Sequence, residues 1–97
     1  MRSLFPDRDE GCYICGSPYV EQHHIFYGTG RRQISDREGC TVWLCREHHQ
    51  GRMGVHGPRH MHDLELKEEC QRRWEAREGV DEPWHETFIR VFGRNYL

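Results

Sequence analysis

This sequence has little from which to build a core. Leu, Ile, Val and Phe together supply 18 of its 97 residues, just under the ~20% below which a strongly charged chain tends to stay unfolded. Net charge is only −2 and aromatic residues reach 11%, which argues against plain disorder. A chain this small with so thin a core nonetheless needs a staple, such as a disulfide or a bound metal. No apolar run approaches the ~18 residues of a membrane span, so no membrane partner is expected. The opening Met1-Arg2-Ser3-Leu4-Phe5-Pro6 lacks the apolar heart of a signal peptide. The expected location is therefore the cytoplasm, where thiols stay reduced and ligate metal rather than pair. Repeats and low-complexity stretches are also missing, and residues 1–97 read as a single domain. Lysine occurs once and asparagine once, as Asn95.

What the chain does have is five Cys and eight His. An odd number of thiols cannot all be cross-linked, which favours metal ligation. Charge divides by segment: residues 1–22 carry a net −2, residues 23–62 a net +3 with seven of the eight His, and residues 63–97 a net −3. The middle is a basic, His-rich island. Its cations are all arginines, whose planar guanidinium suits bidentate contact with phosphate. The bland alternative is an Arg-rich genome with solvated side chains.

Cys12-Tyr13-Ile14-Cys15 reads as a tight turn with two inward thiols. Residues 19–27 read as a strand, broken by Gly28-Thr29-Gly30-Arg31-Arg32. Residues 41–44 form a second short strand, followed at once by the turn Cys45-Arg46-Glu47-His48. Glycines 51, 54 and 57 make a loop. Leu66, Cys70 and Trp74 recur every four residues and predict a helix over 63–78, stopped by Gly79. A shorter helix is expected from Pro83, with Asp81 and Glu82 at its positive end and Trp84, Phe88, Val91 and Phe92 as its buried stripe, ending at Gly93. These aromatics are expected to pack a helical tail, residues 60–97, onto the core.

Cys-x-x-Cys alone serves zinc, redox and haem sites. Redox chemistry needs no second pair, and haem attachment needs a His where this chain has Gly16. The second turn, Cys45-x-x-His48, brings the ligand number to the four that structural zinc requires. Cys12, Cys15, Cys45 and His48 are therefore the expected Zn²⁺ ligands. Cys40 is a competitor for His48, but it lies an odd number of residues from Cys45 and so faces the other way on a regular strand. Cys70, on the helical stripe, is expected to be a core thiol.

His23, His24, His49 and His56 remain in the same region. Cys12-x-x-Cys15, His23-His24-Ile25, Val42-Trp43-Leu44-Cys45-x-x-His48-His49 and Gly54-Val55-His56 together resemble an HNH endonuclease of the zinc-stapled, phage-like type, over residues 12–57; the ending Phe92-Gly93-Arg94-Asn95-Tyr96-Leu97 resembles that subgroup too. The resemblance implies an α+β fold with a ββα-metal (His-Me finger) core and hydrolysis of DNA phosphodiester bonds. It implies His24 as general base and His23, His49 and His56 as ligands of a catalytic divalent cation (Mg²⁺, Mn²⁺, Ni²⁺ or Zn²⁺), with His60 and His62 as competitors for the place of His56. The family's middle Asn would fall at or near Cys40, so backbone groups near Gly39 to Thr41 are expected to replace it. Adjacent strand residues face opposite ways, so His23 and His24 are expected to share a site only where the strand bends.

The chemistry agrees with these roles. A neutral imidazole, with a general pKa near ~6.5, can take a proton from water at physiological pH. Arg31, Arg32, Arg37 and Arg52 are the expected phosphate contacts, giving weak base specificity and a steep salt dependence. The alternative is a non-catalytic zinc module binding nucleic acid or protein, which leaves four histidines without a task. A zinc deaminase would need His-x-Glu followed by Pro-Cys-x-x-Cys, and a zincin protease His-Glu-x-x-His; neither pattern occurs.

Overall fold

The computed structural model describes residues 3–6, 10–76 and 84–97. Among them lie two strands and four helices: β1 (Val20–His24), α1 (Arg31–Glu38), β2 (Thr41–Cys45), α2 (Arg46–His49), α3 (Asp63–Glu75) and α4 (Trp84–Phe92). The class is α+β, as expected. β1 and β2 pair antiparallel, with Val20 opposite Cys45 and His24 opposite Thr41. None of the described helices is long and apolar enough to cross a membrane.

β1 is shorter than the expected strand because Ile25 and Phe26 leave the ladder for the core. Both are buried. The Ile25 N–H donates to the Cys40 carbonyl at 2.9 Å. The buried Ser35 hydroxyl clasps Phe26 on both sides, accepting from its N–H at 2.9 Å and donating to its carbonyl at 2.6 Å. The segment after His24 is thereby fastened by the Cys40 carbonyl and by the Ser35 hydroxyl. Asn95 is occupied elsewhere: it accepts a hydrogen bond from the buried Gln71 amide at 2.8 Å, and the Tyr96 N–H donates back to Gln71 at 2.8 Å. The C-terminus is thus tied to α3.

α1 corrects the reading of residues 28–32 as a plain break. The helix runs between two glycines in the left-handed region, Gly30 at φ 80° and Gly39 at φ 76°, conformations that cost other residues dearly. Between them the sequence is polar nearly all round; Ser35 is buried and Ile34 half-buried, too little for an apolar stripe to announce a helix. The expected turn after β2 is α2, a single helical turn. Beyond it the Val55 and His56 N–H groups donate to the His48 and His49 carbonyls at 3.0 and 2.9 Å, folding the glycine loop back onto α2.

Leu66, Cys70 and Trp74 face the core from α3, as their spacing predicts. The expected stop at Gly79 and the helix start at Asp81, Glu82 and Pro83 lie outside the described residues, as does the side chain of Trp84. On α4, Phe88 and Phe92 are buried and stacked with centroids 4.3 Å apart; Trp74 lies 5.6 and 5.7 Å from them and Phe26 5.8 and 4.7 Å. Each buried ring contributes about 1.5–3 kcal/mol. The tail therefore packs onto the residues that leave β1, which steadies the segment next to His23 and His24.

Candidate metal centres

Cys12, Cys15, Cys45 and His48 offer four ligand atoms that all lie within 4.8 Å of one another, close enough to hold a metal ion. Cys15 Sγ is 3.7 Å from Cys45 Sγ, while His48 Nδ1 is 3.8 Å from Cys12 Sγ and 3.2 Å from Cys45 Sγ. A tetrahedral zinc with its usual bond lengths separates two sulfurs by about 3.8 Å and a sulfur from a nitrogen by about 3.6 Å. The donor set and its spacing are compatible with structural Zn²⁺. The turn is held in place by the Tyr13 N–H, which donates to the Trp43 carbonyl at 2.8 Å. Burial alone would raise the Cys12 thiol. The N–H groups of Cys45, Cys15 and Ile14, with the His48 imidazole, outweigh it and bring the thiol from 9.0 down to about 6, toward the thiolate that metals bind. Cys40 takes no part in this cluster: it is buried, with its Sγ 4.0 Å from the Glu38 carbonyl. Cys70 is a core thiol, pushed up by burial and by the neighbouring Cys40.

The second cluster is His23, His49 and His56, whose ligand nitrogens also lie within 4.8 Å of one another. His23 comes from β1, His49 from the last position of α2 and His56 from the glycine loop. Their ring centroids are 5.0–5.2 Å apart. His23 is 1% exposed, and both its ring nitrogens are buried without a hydrogen-bond partner. Each such orphan costs about 1–3 kcal/mol, and a metal bound to the ring would remove that cost for the nitrogen it takes. Burial, followed by His49, His56, His24 and Lys67, drives the His23 pKa down to about 3, so its ring is neutral and able to ligate. Burial and His49 also lower His56, against the opposing charge of Asp63.

His49 is oriented by a residue that went unremarked in the sequence. Its Nδ1–H donates to Glu21 Oε1 at 2.9 Å, the contact by which a carboxylate orients a metal-ligating imidazole through the nitrogen that is not on the metal. The signal was available: Glu21 and His23 are two apart on one strand and so share a face. The Glu21→Gln variant is expected to bind a divalent cation at the His cluster about 10–100-fold more weakly while keeping zinc at the Cys cluster. Calorimetric titration of the zinc-loaded protein with Mn²⁺ checks this.

His24 is separate from the three-His cluster but opens onto the same cleft, about 340 Å³, which is also lined by Gln22, Tyr27, Arg32, His49, Gln50 and His56. The cleft gathers Gln22 and His24 from β1, His49 from α2 and His56 from the glycine loop. His24 lines this cleft and His23 does not; β1 stays paired through His24, and the chain bends at Ile25 and Phe26. His24 Nε2 lies 3.1 Å from Asp36 Oδ1 on α1. His60 and His62 do not join the cluster: the His60 ring lies 3.1 Å from the Val55 carbonyl and the His62 ring 3.3 Å from Glu65. Of the four arginines singled out, Arg32 lines the cleft. Arg31 donates to the Tyr96 hydroxyl at 3.2 Å, Arg37 lies 3.1 Å from Glu38, and Arg52 lines a separate pocket with Met53, Pro58 and Arg59. No protein-family model matches this chain, and neither does any curated protein or solved structure.

Proposed function

We propose that the protein is a metal-dependent DNA endonuclease of the HNH, ββα-metal type, hydrolysing phosphodiester bonds in the cytoplasm. The observation that carries this reading is the meeting of His23, His49 and His56 within 4.8 Å, beside a cleft that also receives His24 and Arg32. In this reading β1, β2 and α2 form the ββα-metal core, with α1 inserted between the strands. Zinc on Cys12, Cys15, Cys45 and His48 staples the N-terminal turn to the end of β2.

His23, His49 and His56 would hold the divalent cation, for which their three imidazole nitrogens fit Mn²⁺, Ni²⁺ or Zn²⁺ better than Mg²⁺. When bound, that cation supplies Lewis-acid stabilisation of charge on the phosphate and the leaving 3′ oxygen. His24 takes the proton of the attacking water. Arg32 contacts the scissile strand, and Arg31, Arg37 and Arg52 contact flanking phosphates through a largely sequence-independent attraction.

Purified protein incubated with supercoiled plasmid and Mg²⁺, Mn²⁺, Ni²⁺ or Zn²⁺ is expected to yield nicked or linear DNA, and EDTA is expected to abolish it. Protein that binds DNA but leaves plasmid intact with every ion overturns the nuclease reading in favour of a non-catalytic zinc module.

A further inference from the structure

The hydrogen bond between His24 and Asp36 is lopsided in exposure. The His24 side chain is 10% exposed and that of Asp36 67%. A contact so open to water on one side adds little to stability, yet its two ends sit on segments fastened to each other. Asp36 follows Ser35, whose hydroxyl grips both backbone polar groups of Phe26, two residues beyond His24. The clasp ties α1 to the chain just beyond β1, and so keeps Asp36 beside His24.

We propose that Asp36 is a positioning residue for His24, accepting its Nε2–H so that the Nδ1 lone pair is the proton acceptor in the cleft. This role rests on the nuclease reading. A carboxylate on one imidazole nitrogen fixes the tautomer and the ring orientation, and it favours the imidazolium that forms when the other nitrogen takes a proton. The water's proton goes to Nδ1 and its oxygen to phosphorus; the bond from phosphorus to the 3′ oxygen breaks with its electron pair on that oxygen, which takes a proton from solvent. Asp36 is not among the residues lining the cleft; it acts through His24.

The test compares Asp36→Asn and Asp36→Glu, and places Asp36→Asn also in a His24→Ala background, with plasmid and Mn²⁺. Asp36→Asn is expected to lower kcat about 10–100-fold with KM and the thermal midpoint unchanged, and Asp36→Glu to recover most of the loss. In the His24→Ala background Asp36→Asn should cost nothing more. Imidazole ¹⁵N spectra of the wild type, which need no activity, are expected to show protonated Nε2 and bare Nδ1 at His24, and a mixture of tautomers in Asp36→Asn. Active wild type with an unimpaired Asp36→Asn variant overturns this role alone, as does an equal loss in both backgrounds or a wild-type Nδ1–H tautomer. Wild type inactive with every ion overturns the nuclease reading and this role together.

Discussion

His24→Ala is expected to nick plasmid DNA about 10²–10⁴-fold more slowly than the wild type while staying folded, zinc-loaded and able to bind DNA. The expectation follows from where the side chain sits. It belongs to neither group of clustered ligand atoms, and its one described hydrogen bond runs to an exposed carboxylate, so its removal leaves the core and both clusters intact. His23→Ala should differ in kind. That ring is 1% exposed and stands within ring contact of His49 and His56. Its loss opens a hole in the interior, lowers the thermal midpoint and weakens the divalent site. Raising Mn²⁺ should restore part of the nicking in His23→Ala and none in His24→Ala. A metal titration of both variants reads this directly, and the opposite outcome exchanges the two roles.

Cys45→Ser is expected to abolish the cooperative thermal transition, as should stripping the wild type with a strong chelator. Structural zinc sites supply about 10–16 kcal/mol of apparent binding free energy, which matches or exceeds the ~5–15 kcal/mol of net stability in a whole domain. Cys45 is the last residue of β2 and the point where the N-terminal turn meets the sheet, with Cys15 Sγ and His48 Nδ1 3.7 and 3.2 Å away. Only 18 Leu, Ile, Val and Phe residues back it up. Far-UV circular dichroism and a melting curve, taken with and without chelator, make the measurement. A native spectrum and midpoint after exhaustive metal removal would overturn the staple.

What could be read in the chain was whatever chain geometry settles over a few residues. Cys12-x-x-Cys15 and Cys45-x-x-His48 carry their ligands on single turns, so spacing alone brings each pair together. Leu66, Cys70 and Trp74 advertise the buried face of α3 because a helix repeats every 3.6 residues. The distances that matter to the second cluster are longer: His23, His49 and His56 come from a strand, a helix end and a loop, and they meet only because β1 and β2 pair in one register and the glycine loop folds back onto α2. The supporting residues were hidden for the same reason. Glu21 takes its meaning from His49, 28 positions away. Ser35 and Asp36 take theirs from α1, a polar helix bounded by two left-handed glycines and stabilised by the clasp on Phe26 rather than by an apolar face. Local sequence determined which residues can ligate and which face of α3 is buried, and a resemblance named the three histidines; tertiary structure decided how their nitrogens meet and which carboxylates orient them, because those depend on strand register and on hydrogen bonds between elements remote in the chain.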